Sequence, residues 1–191
     1  MTAGSGRDPT ASPSAARRIV GIDPGTLVTG WGVIEAAGSH LTHLAHGIIA
    51  TSGTVGQGAR LVRIYRGIRE VIESYQPQGM SLEKVFFARN AQSALKLGQA
   101  RGVALLAGAE NNLEIFEYST NEIKSAVVGY GHATKAQMQA MVATLLAVSE
   151  NMVADAADAL AAAICHHHRQ SFQSRILQAL PDCSPASHRG S

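Results

Sequence analysis

Three apolar segments, residues 19–23, 30–36 and 40–51, follow one another across connections too short to hold a helix. Gly25, Gly38 and Ser39 supply the turn residues between them. Connections of this length join antiparallel neighbours, because a parallel pair needs a crossover of about a dozen residues or more. The chain must therefore begin with an antiparallel meander. The pattern then changes. Across 59–75 the residues Leu61, Ile64, Tyr65, Ile68, Val71, Ile72 and Tyr75 recur at the helical period, and Pro77 supplies the stop. A strand at 80–85, a helix over 90–110 capped by Asn90, and a strand at 113–118 follow. Strand, helix, strand, helix, strand is a parallel crossover pattern. The expected fold is α/β: a mixed five-stranded sheet, three antiparallel strands followed by parallel crossovers, flanked by helices.

Thr134 and Gln137 form a capping-box pattern ahead of Met138, Met141, Val142, Leu145 and Leu146, which predicts a further helix. A last, alanine-rich helix is expected over 154–168, with Leu160 and Ile164 facing inward. Gly98 and Gly102 each cost about 1 kcal/mol inside their helix relative to alanine. Close approach of another backbone would offset that cost, either in the core or across a dimer seam. Residues 1–17 are rich in small and polar types and read as a disordered leader. Residues 18–169 form one domain, and 170–191 read as a flexible tail.

The net charge of +2 is too small to name a partner. Its distribution says more, since Arg60, Arg63, Arg66, Arg69, Lys84, Arg89, Lys96 and Arg101 are half of the 16 Lys and Arg residues. Such a run is compatible with a phosphate-binding face, although Arg66/Glu70 and Arg69/Glu73 are spaced to pair along a solvated helix. Cys165 and Cys183 lack metal-ligand or redox spacing and fit a reducing compartment. With no apolar run of membrane-spanning length and no signal-peptide core, a cytoplasmic protein is expected.

Asp23 ends the first strand and Glu83 lies near the end of the fourth. If those strands are parallel neighbours, both acids reach one end of the sheet, where open α/β folds place their sites. Asp155 and Asp158 share a face of the last helix. Taken singly, Asp23 before Pro24-Gly25 reads as a turn residue and Asp155 as a first-turn acid. Glu83 is harder to place in an apolar strand, where a carboxylate is costly unless paired or metal-bound. Together the four resemble a set of hard oxygen donors for divalent ions. The physical reading is two-metal catalysis, with ions about 4 Å apart that activate water and stabilise the leaving oxygen.

The segments Gly21-Ile22-Asp23-Pro24-Gly25, Glu83-Lys84-Val85-Phe86, Ser93 through Gly102, and Ala154-Asp155-Ala156-Ala157-Asp158-Ala159-Leu160-Ala161 closely resemble the RuvC family of crossover junction endodeoxyribonucleases. The likeness runs in order over about residues 18 to 168. It implies a ribonuclease-H-like fold and a homodimer that resolves Holliday junctions in recombination and DNA repair. Two symmetric nicks leave 5′-phosphate and 3′-hydroxyl ends. By position it places the catalytic, metal-holding carboxylates on Asp23, Glu83, Asp155 and Asp158, with two Mg²⁺ ions per site and Mn²⁺ able to substitute. It places DNA contacts on Phe86, Lys124 and Lys135; Arg89 beside Phe86 joins them as a candidate. The implied partners are four-way junction DNA and a RuvA-RuvB branch-migration complex.

The histidines do not form a zinc pattern. His40 and His46 are expected on one strand face with His43 on the other, and His166 at the surface or close to the carboxylates. Rival readings are a phosphotransferase sharing the Asp-x-Gly-Thr turn, another ribonuclease-H-like nuclease or transposase, and a DNA-binding module without activity. The chain is too short for a two-domain phosphotransferase.

Overall fold

The computed structural model describes residues 16–84, 91–149 and 151–179. Strands β1 (Arg17–Asp23), β2 (Val28–Ala37) and β3 (His40–Ala50) form the expected meander, and β4 (Gly79–Lys84) and β5 (Glu114–Ser119) complete the sheet. The strand order is β3-β2-β1-β4-β5, antiparallel on the β3 side and parallel from β1 to β5. Helices α1 (Gln57–Tyr75) and α2 (Ala91–Glu110) cover one face. The other face carries α3 (Thr120–Val128), α4 (Lys135–Leu146) and α5 (Ala154–Ala179).

Each face buries its own apolar layer. Val20, Ile22, Val33 and Leu82 pack with Ile64 and Ile68 of α1 and Ala100 and Ala104 of α2. Ile19 and Ile34 pack on the other side with Val142, Leu160 and Ile164. The alternation along β1 is what a sheet buried on both faces requires, since successive side chains point opposite ways.

The α5 face of the sheet is paved with small residues. A Cβ at Gly21 would overlap the Ala159 carbonyl, and one at Gly30 would overlap the carbonyl of Asp155. Ser81 Oγ donates to the Ala162 carbonyl across 2.8 Å. The alanines of α5 meet these positions, so helix backbone lies on strand backbone. This contact fixes how far the first turn of α5 stands from the ends of β1 and β4.

Two expectations are corrected. Helix α3 arises between β5 and α4, where no element was foreseen; Ser119 caps it by accepting from the Glu122 amide, and Glu122 reaches back to the Ser119 amide. Helix α5 runs on to Ala179, well past His168. Of the two alternatives for Gly98 and Gly102, the core finds no support among the described residues, where a Cβ at either would face open space. The Asn90 cap and residues 1–15 and 180–191 lie outside the described residues.

Candidate active site

Asp23 and Glu83 come together as the strand order requires. The β1–β4 register pairs Ile22 with Leu82, which brings the next residues side by side at the carboxyl ends of two parallel strands. On β2, Gly30 pairs with Asp23, and the Asp155 backbone sits against Gly30. Asp158 follows one turn later on the same helix face.

The electrostatics record this convergence. Burial raises the Asp23 carboxyl, and Asp158, Glu83 and Asp155 raise it further, to about 7. Lys135 opposes them. Three acids from β4 and α5 thus act on one half-buried carboxyl of β1, which favours its protonation unless a cation offsets them.

Two contacts complete the site. Lys135 Nζ lies 3.0 Å from Asp158 Oδ2, and this pairing raises the lysine above its usual range. Thr120, the first residue of α3, donates its hydroxyl to Glu83 Oε1. A cleft of about 210 Å³ opens between them, lined by Glu83, Thr120, Lys124, Lys135 and Asp158. Thr120 was not singled out in the sequence, although the Ser119-x-x-Glu122 capping signature one residue upstream marks a helix start there. A larger groove, about 920 Å³, lies along α1 and is lined by Trp31, Arg63 and Arg66 without any of the four acids.

The donor set fits hard divalent cations, since it consists of carboxylates with a hydroxyl beside them and no thiolate or imidazole. Among the described residues no three acids already close around one point. Asp158 is turned to Lys135 and Glu83 to Thr120.

Other candidates fall elsewhere. Phe86 and Arg89 lie outside the described residues. Arg69 pairs with Glu73, and Arg63 Nε donates to the Ala50 carbonyl at 2.6 Å, so both serve the α1 face of the fold. His43 and His46 share a hydrogen bond of 2.8 Å, which corrects their expected placement on opposite faces. The physical reason is a bulge: the register passes from Val33–Ala45 to Ile34–His43, leaving Leu44 unpaired and shifting the alternation by one. His166 is fully buried, neither at the surface nor beside the acids. It stacks on Phe116 with ring centroids 4.0 Å apart, near the other ends of the strands. Cys165 is also buried, and its thiol is pushed up to about 12 by that burial, which leaves it unreactive. Among the described residues no helix is long and apolar enough to cross a membrane.

Comparison with known proteins places the chain in a family. The family model for crossover junction endodeoxyribonuclease RuvC matches residues 19–166. The RuvC of Geobacter sulfurreducens is 52% identical over 157 residues, covering 82% of this chain and 96% of that protein. The RuvC of Pasteurella multocida is 54% identical over 150 residues, covering 78% of each chain. The solved structure of T. thermophilus RuvC in complex with a Holliday junction substrate superposes with a TM-score of 0.79 at 29% identity, covering 83% of this chain and 97% of that one. A match this long makes this chain an endonuclease of the RuvC crossover junction endodeoxyribonuclease family.

Proposed function

We propose that this protein resolves Holliday junctions in recombination and DNA repair, as a homodimer making two symmetric nicks that leave 5′-phosphate and 3′-hydroxyl ends. Asp23, Glu83, Asp155 and Asp158 are its metal-holding, catalytic carboxylates. The observation that supports this reading is the convergence of the acids: β1 and β4 end side by side at Asp23 and Glu83, and the Asp155 backbone rests on Gly30, the partner of Asp23. These carboxylates would hold a pair of Mg²⁺ ions, or Mn²⁺ in their place, whose Lewis acidity would lower the cost of forming a hydroxide nucleophile and offset charge at the scissile phosphate.

The chain's own groups do the positioning. Thr120 holds Glu83 in orientation through its hydroxyl. Lys124 and Lys135, on the cleft wall, contribute positive charge toward the DNA backbone, with Phe86 and Arg89 as further DNA contacts. Two nicks on a near-symmetric junction call for two sites related by a two-fold axis. An exposed face of α2 suits that seam: Leu95, Gly98, Gly102 and Leu106 fall on one side, opposite the buried Ala100, Ala104 and Ala107. The nuclease domain begins with β1 at Arg17 and takes in α5 to Ala179, beyond the expected bounds of 18–169; a RuvA-RuvB branch-migration complex is the partner, and the cytoplasm the compartment.

The test is cleavage of labelled mobile four-way junctions and linear duplex, with and without Mg²⁺. Symmetric product pairs from the junction alone, only with metal, are expected. Binding without cleavage would indicate a module that keeps only the fold, and equal cleavage of linear duplex another nuclease of this fold.

A further inference from the structure

Lys135 is the first residue of α4, held at the cleft by the Thr134 cap, whose hydroxyl accepts from the Gln137 amide. Its side chain is 61% exposed while that of Asp158 is 29% exposed, so the lysine can leave the contact without opening the core. Among the described residues, the charges acting on Asp23 are three acids of one sign and Lys135 of the other. Lys124 lines the same cleft and makes no ion pair among the described residues. The lysine is thus the built-in cation of the cluster, and its ammonium uses a carboxylate oxygen that a bound divalent ion would also need.

We propose that Lys135 acts as a stand-in cation, pairing with Asp158 in the metal-free protein and giving up that carboxylate when a divalent ion binds. The inference rests on the reading of the four acids as a metal site. An ammonium donating to Asp158 Oδ2 and an ion coordinated by that oxygen compete for one set of lone pairs. Metal loading is then an exchange of one cation for another, and the metal-free site is spared the full repulsion among its acids. Lys135 is a positioning residue in this sense.

Calorimetric titration with MgCl₂, in the absence of DNA, tests the exchange on the full chain. Lys135→Met removes the charge at an exposed helix start and keeps helix propensity. It is expected to bind Mg²⁺ about two- to fivefold more tightly than the native protein, the scale of a half-exposed ion pair. Lys124→Met controls for the general field of the cleft and is expected to bind as the native protein does. In chelator, Lys135→Met should melt below the native protein, and the gap should close as Mg²⁺ saturates. Unchanged affinity in Lys135→Met, or an equal gain in Lys124→Met, overturns the exchange while leaving the metal site standing. Absence of Mg²⁺ binding in all three proteins overturns the metal site and the exchange together.

Discussion

Gly21 of β1 lies so close to Ala159 of α5 that a Cβ on the glycine would occupy the space of the alanine's carbonyl. The catalytic reading depends on this contact, because α5 brings two acids to the sheet edge only while its backbone rests on the strands. Gly21→Ala is therefore expected to destabilise the fold by about 1 to 3 kcal/mol, the cost of overpacking a filled interior. Urea unfolding gives the stability, and the midpoint should fall. The same variant should lose junction cleavage at temperatures where it is still folded, because Asp155 and Asp158 are pushed off the edge.

Asp23→Asn and Glu83→Gln should reduce cleavage at least about 100-fold, since several kcal/mol of transition-state stabilisation at the phosphate are removed. Junction affinity, measured by gel shift without divalent metal, should change little, because backbone contacts are made by other residues. A parallel fall in both would contradict the assignment.

His166 makes stability depend on acid. Its Nδ1 shares a 2.8 Å hydrogen bond with the Tyr118 hydroxyl, and its Nε2 is buried without a partner among the described residues. Burial first, then Arg17 and His167, push the imidazole down from 6.5 to about 4, with Glu114 opposing. The folded state thus disfavours the protonated ring that the unfolded chain readily forms. Stability tied to His166 is complete above pH 6.5 and is lost as the pH falls from there to about 4. The expected loss is on the order of 2 to 3 kcal/mol. Urea unfolding at pH 7 and pH 4.5 should show a smaller acid-induced drop in His166→Met than in the native protein.

If α2 forms the dimer seam, Leu106→Arg should dissociate the dimer, for Leu106 is 52% exposed and lies on the side with Gly98 and Gly102. Sedimentation velocity should then report a monomer. Its circular dichroism should match the native protein, because no buried contact of the protomer is touched. A dimer that persists would place the seam elsewhere.

Much of this architecture was legible in the chain. Short turns imposed the meander and the helical period between 59 and 75 marked a crossover, but the meeting of Asp23 and Glu83 was conditional on β1 and β4 being parallel neighbours, which the strand order supplies. Features that depend on tertiary registry were not legible. The bulge at Leu44 appears only when β3 is laid on β2, and it reverses the expected facing of His43. His166 was misplaced because the eight positions from Asp158 carry it along α5 to the opposite end of the strands, where Phe116 and Tyr118 enclose it. Helix α3 is different. Its capping box is written in Ser119 and Glu122 as plainly as the one in Thr134 and Gln137, but nine residues with little apolar periodicity do not announce themselves. The exposed glycines of α2 meet nothing among the described residues that offsets their cost, and the proposed seam would supply it.

The seating of α5 on glycine, alanine and serine also limits how such an enzyme can vary. Where side chains interlock, a lineage can trade one bulky residue for another and widen or narrow a gap by fractions of an ångström. Main chain against main chain offers no such adjustment. The spacing between the acids of the helix and those of the strands behaves as a fixed gauge, and diversification of substrate preference is left to the walls of the cleft.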